Sequence, residues 1–311
     1  MINQDEIKDD AFIIILCRCG LCCILFILLI TCGCALPLKK LTIKDSNKQF
    51  TEGTIVSAKT GGPVSFDELI ADLKDSRMIY IGEIHTLKSH HDIQLKIIRE
   101  LYGENPNLTV GMEMFDRTYQ PLLDQWSEGS LDRKTFIGKS HWYANWKYDF
   151  ELYSDILEFL RENRIRLVGL NIPFHIPAKI ATGGIESLSD DEKKHLPENI
   201  DISDTAHREY VENIFRLHKI KGRDDFENFY RAQCVWDDIM AETANNNLKD
   251  GSMAVIAGNG HVLRYGIPKR AFAGKSLPYR IIFLAPAGTV AGINHVDYIW
   301  VTPSDERGAA R

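Results

Sequence analysis

The chain has 311 residues, 44% apolar and 26% charged, with a formal charge of −6. This is the composition of a folded globular protein, long enough for one large domain. The acidic balance lacks the basic footprint of a general nucleic-acid binder, so no nucleic-acid partner is expected.

Six of the seven cysteines (Cys17, Cys19, Cys22, Cys23, Cys32 and Cys34) precede residue 35, and only Cys234 lies in the body. The body therefore has no internal disulfide framework. Cys19-x-x-Cys22 is not followed by histidine, so it is not a c-type haem attachment site. Residues 20–38 carry no charge until Lys39. Residues 1–38 read as a signal peptide or membrane anchor. The acidic opening MINQDEIKDD suits neither, and a start near Leu16 is expected instead. Cys34 follows the small Gly33, and Cys32 has the apolar Leu29 upstream, so either is a candidate for lipid attachment. The expected location is a bacterial cell envelope: a membrane-anchored lipoprotein facing the periplasm.

Residues 39–62 are polar and read as a tether leading to an edge element; residues 63–305 form the body. Ser65-Phe-Asp-Glu68 is a capping box opening a helix. Met78 to Ile81 is a short apolar run closed by Gly82, as in a buried strand. Helical spacing follows over residues 89–102, then a strand over 108–114. A helix is expected over 150–160 and a strand over 165–170. A second capping box stands at Ser189-Asp-Asp-Glu192. Helical periodicity runs over 205–220 and 224–248, strands are expected at 253–257 and 280–284, and an edge strand at 298–301. Strands alternating with helices predict an α/β fold: a mostly parallel sheet flanked by helices, with a helical insertion or cap between about residues 173 and 250.

Four polar clusters follow four of these strands: Gly82-Glu83-Ile84-His85, Glu113, Asn171 with Pro173 and His175, and Gly258-Asn259-Gly260-His261. Open α/β sheets bind ligands at the carboxyl ends of their strands. Histidine and carboxylate suit either acid–base work or a divalent metal. Glu83, His85, Glu113 and His261 are the catalytic candidates if the protein is a hydrolase, with His85, Glu113 and His261 as metal ligands. Gln233 and Asp237 stand four apart on one helix face, placed to orient such ligands. His90 and His91 are expected on a solvated helix face. The stretch 141–150 holds five aromatics and offers a wall for a flat apolar ligand. Its tyrosines, Tyr143 and Tyr148, are of a type that ligates haem iron. Walker A, Gly-x-Gly-x-x-Gly, Gly-x-Ser-x-Gly and His-Glu-x-x-His motifs are absent.

The motifs Ile81-Gly-Glu-Ile-His85-Thr86, Gly111-Met-Glu113-Met-Phe115, the helix from Tyr230 to Glu242 and Ala257-Gly-Asn-Gly-His261-Val resemble those of the ChaN-like haem-binding uptake family in the wider Tiki/TraB/erythromycin-esterase superfamily. The likeness spans about residues 65–300. It implies an envelope haem-binding protein in iron or haem uptake or storage, and a homodimer enclosing two haems. In that family a tyrosine holds each iron, which implies Tyr148, then Tyr143. Other superfamily members are metal-dependent peptidases or hydrolases. A metal-dependent hydrolase using the strand-end His/Glu set is therefore the alternative to a binding protein.

Overall fold

The computed structural model describes residues 38–44, 46–217 and 225–304. The N-terminal segment and Cys32 and Cys34 lie outside the described residues. Among those described, no helix is long and apolar enough to cross a membrane.

Eleven strands are described: β1 (Leu41–Ile43), β2 (Gln49–Phe50), β3 (Ile55–Ser57), β4 (Gly62–Val64), β5 (Met78–Glu83), β6 (Leu108–Asp116), β7 (Arg166–Asn171), β8 (Ser252–Gly258), β9 (Tyr279–Pro286), β10 (Val290–Ala291) and β11 (Tyr298–Thr302). The main sheet has eight strands in the order β4-β3-β11-β9-β5-β8-β6-β7. The six strands from β11 to β7 are parallel, and β3 and β4 add an antiparallel hairpin at one edge. β5, β6 and β8 are buried almost throughout, as a parallel sheet covered on both faces requires.

Helices cover both faces. Phe66–Leu73, Lys88–Glu104, Gln120–Ser127 and Ser154–Glu162 pack on one apolar layer, around Ile79, Ile81, Val110, Met112 and Leu167. His175–Gly183, Phe226–Asn247 and Ile267–Gly274 pack on the other, around Tyr80, Val168, Val255 and Ile281. Both predicted capping boxes form: Ser65 caps the helix Phe66–Leu73 with Glu68, and Ser189 caps the short helix Asp190–Lys193 with Glu192. The α/β fold with flanking and capping helices is the one expected.

Two expectations need correction. Residues 39–62 are not a tether. Leu41, Ile43, Ile55 and Val56 are buried in strands, and the polar residues between them make turns, with Asn47 and Gly53 at positive φ. The strand at residues 298–302 is not at an edge, because β3 pairs with its far side and leaves β4 outermost.

Candidate functional site

Since β5, β6, β7 and β8 are parallel, their carboxyl ends meet on one side of the sheet. β6 departs from regular register against β7 between Met112 and Asp116. Such a bulge re-aims side chains, and Glu113 sits within it. β5 delivers Glu83 and then His85, and β8 delivers Gly258 and the short helix Asn259–Val262 with His261.

Glu83 is 2% exposed and collects donors. Its Oε1 accepts from the Tyr153 hydroxyl at 2.6 Å and lies 2.7 Å from His85 Nδ1; its Oε2 accepts from Gln94 Nε2 at 2.8 Å. His91 Nδ1 stands 3.4 Å from the same carboxylate. Burial pushes the Glu83 carboxyl up, but the His91 charge and the bonds to His85 and His91 outweigh it and hold it well below the usual range. An ionised Glu83 fixes the proton of His85 on Nδ1. Burial opposes the His85 cation, yet its bond to Glu83 and the nearby Glu113 charge raise its pKa overall.

The second imidazole is held the same way. His261 Nδ1 lies 2.6 Å from Asp237 Oδ1, and Asp237 Oδ2 lies 3.2 Å from His207 Nε2. Arg270 Nη2, which can only donate, faces His207 Nδ1 at 3.3 Å. His207 must therefore carry its proton on Nε2 and donate to Asp237. Burial works against the His261 cation, but Glu113 and Asp237 raise its pKa to about 9.

With both Nδ1 atoms engaged, Nε2 is the remaining nitrogen of each ring. Glu113 Oε1 stands 3.6 Å from His261 Nε2, and its Oε2 accepts the Gly258 N–H at 2.7 Å. A Cβ on Gly258 would lie 3.1 Å from His85 Nε2 and 3.6 Å from Glu113 Oε2. The missing side chain keeps open the space that these groups share.

The strand-end expectation thus joins Glu83, His85, Glu113 and His261, with Asp237 behind His261. Asn171 is fully buried and braces the bulge, donating from Nδ2 to the Glu113 carbonyl at 3.0 Å. His175 stays out of the site, beside Glu192. Gln233 makes no bond to the site among the described residues. His90 and His91 are corrections, for both are buried rather than solvated. Ile84 N donates to His90 Nδ1, and His91 braces Glu83, so the helix face turned toward β5 takes both rings. Tyr153, Gln94, His207 and Arg270 were not anticipated. No local motif carries them; only the fold brings them near.

The metal expectation does not fit. Among the described residues no group of three or more His, Cys, Asp or Glu side chains can hold a metal ion. Metal ligation needs donors about 2.0–2.2 Å from one point, whereas here the carboxylates hydrogen-bond the imidazoles and a backbone amide instead.

The aromatic stretch lies beside this crevice. The His85 ring packs 4.8 Å from Trp146 and 5.1 Å from Tyr148, centre to centre. Trp142 is buried and its Nε1 donates to the Tyr148 carbonyl, which anchors the turn. Tyr143, on the short helix Trp142–Asn145, is 60% exposed. Burial, then Glu113 and Glu83, raise the Tyr148 phenol pKa.

A family model described as "Haem-binding uptake, Tiki superfamily, ChaN" matches residues 69–271. The chain belongs to this family. Its membership supports the expected role of a binding protein in iron or haem uptake. The fold is similar to that of ChaN of Campylobacter jejuni, solved with cofacial haem: TM-score 0.66 and 20% identity over 79% of this chain and 95% of that one. An erythromycin esterase in an open conformation is more distant, with TM-score 0.45 and 15% identity over 75% of this chain and 77% of that one. In sequence, the chloroplastic protein RETICULATA-RELATED 5 of Arabidopsis thaliana is 26% identical over 131 residues. That match spans 39% of this chain and only 17% of that relative's length.

Proposed function

We propose that this ChaN-family chain binds haem on the aromatic rim of the strand-end face, with Tyr143 as iron ligand and Tyr148 and Trp146 as the wall beside it. The observation that carries the reading is the exposed Tyr143 phenol on a turn anchored by the buried Trp142. Tyrosine binds ferric iron as the phenolate. Burial, then Glu113 and Glu83, oppose a phenolate at Tyr148, and Tyr143 is the more exposed of the two. Lys147, whose Nζ lies 5.5 Å from the Tyr148 ring centre, is a cation of the kind that pairs with haem propionates. Phenol, aromatic wall and lysine are together a donor set that fits haem. Bound haem would supply the iron and the flat apolar surface to be carried, and these residues would bind and orient it.

The same reading extends to a homodimer closing over haem and to a bacterial envelope location, with the N-terminal segment as a signal peptide, membrane anchor or site of lipid attachment at Cys32 or Cys34. Hemin titration followed by absorption spectroscopy tests the haem site. Wild-type protein should saturate with a high-spin, tyrosinate-type spectrum. Tyr143→Phe should weaken binding about tenfold or more and remove that signature, and Tyr148→Phe should keep it. A variant lacking Tyr143 that retains the wild-type spectrum would overturn the ligand assignment.

A further inference from the structure

Away from the rim and the strand-end crevice, the helices Phe226–Asn247 and Ile267–Gly274 and the loop at residues 197–201 border a cleft of about 430 Å3. No rim or crevice residue lines it. That is far more room than one water needs and is the size of a small-ligand site. Ala241, Ala273 and Gly274 are too small to fill it. The donors around it are engaged. Arg270 Nε lies 2.8 Å from Asp238 Oδ1, and its Nη2 donates to the Asp201 carbonyl at 2.9 Å. Lys269 pairs with Asp204, and Lys275 Nζ donates to the Asn245 carbonyl at 2.5 Å. The acceptors have capacity to spare. Glu198 is exposed and pairs with no cation among the described residues. Asn245 is 7% exposed; its Nδ2 donates to the Ala271 carbonyl at 2.9 Å, and its Oδ1 has no hydrogen-bond partner among the described residues. Burial pushes the Asp238 carboxyl up to about 7 although Arg270 opposes the shift, so the cleft is short of positive charge.

We propose that this cleft binds a short aliphatic amine as its cation. The open positions are acceptors, so the ligand brings N–H donors. An ammonium group supplies the donor that Asn245 Oδ1 lacks and the charge that Glu198 and Asp238 attract. A buried amide oxygen without a donor is costly, and a hydrogen bond from a charged donor is stronger than one between neutral groups. Ala241 and Ala273 offer apolar wall to the methylenes. A carboxylate or phosphate ligand would instead meet cations that are already paired and add like charge beside Glu198, Asp238 and Glu242. The cleft is preformed. Glu242 Oε2 accepts the Glu198 N–H at 3.0 Å and Asp238 Oδ2 accepts the Asp201 N–H at 2.8 Å, so two carboxylates hold the loop on the helix. Little ordering is then left for the ligand to bring about.

The test titrates full-length, haem-free protein with putrescine by calorimetry, with glutamate and inorganic phosphate as anionic comparisons. Putrescine should saturate wild-type protein and the two anions should not bind. Glu198→Gln, which removes one exposed charge, should weaken putrescine about tenfold. Ala273→Leu, at another exposed position, fills the cleft and should weaken it about tenfold or more. Glu104→Gln removes a charge on the opposite layer of helices and should leave affinity unchanged. Melting temperature, read on each variant, shows that the fold is kept. No saturable binding up to about 10 mM putrescine, equal affinity in wild type and both cleft variants, or binding of the anions instead would overturn the proposal. Hemin titration with and without putrescine should give one curve. A curve that shifts would put the amine on the rim and overturn the assignment to this cleft.

Discussion

The Tyr148 ring lies 5.1 Å from the imidazole of His85, so the aromatic rim and the strand-end crevice share a wall. His85→Ala, which removes a ring packed on Trp146 and Tyr148, is therefore expected to weaken hemin binding, by less than Tyr143→Phe does. Hemin titration of the two variants checks this. A loss in His85→Ala as large as in Tyr143→Phe would mean that the wall, not the phenol, holds the haem.

His90 provides a pH dependence of stability. Its Nδ1 accepts from Ile84 N at 2.9 Å and its Nε2 faces Thr302 Oγ1 at 3.0 Å, the pattern of a neutral ring. Burial depresses its pKa from the ordinary 6.5 to about 4, with His91 adding to the effect. Below 6.5 the unfolded chain takes up a proton that the folded chain refuses. Stability from this group is thus complete above 6.5 and falls as pH drops toward 4, by about 3 kcal/mol in all. Urea unfolding across that range should show the fall, and His90→Gln should flatten it.

Asp237 accepts from His261 and His207 at once. Asp237→Ala leaves two buried imidazoles without their acceptor and should cost about 3 kcal/mol or more, read from denaturant unfolding. Asp237→Asn keeps the shape and should cost less. Equal losses in the two variants would mean that packing, not charge, holds this network.

Gly251 tests a close backbone approach far from the site. A Cβ there would lie 1.8 Å from the Asn107 carbonyl oxygen, so the turn before β6 or the start of β8 would have to move. Gly251→Ala should destabilise by about 2–3 kcal/mol, with hemin binding retained in the folded fraction. An unchanged melting temperature would contradict that packing.

Local pattern was enough to read much of the molecule. Apolar runs closed by glycine marked β5 and β8, and the Ser65 and Ser189 capping boxes marked helix starts, because hydrogen bonds to neighbouring residues leave a signature within a few positions. Parallel strands place their carboxyl ends together, so the meeting of Glu83, His85, Glu113 and His261 at one end of the sheet was legible from strand order alone. What tertiary structure alone decided was how those groups are wired. Asp237 finds His207, and His207 finds Arg270, across helices that no short motif connects. His90 and His91 look like a polar helix face until β5 packs over them. Residues 39–62 read as a tether because two- and three-residue strands show too little alternation, and only pairing with β10 and β11 buries them. A metal and an imidazole–carboxylate relay use the same residue types. Which one they make depends on where each nitrogen points, and that is set by partners distant in the chain.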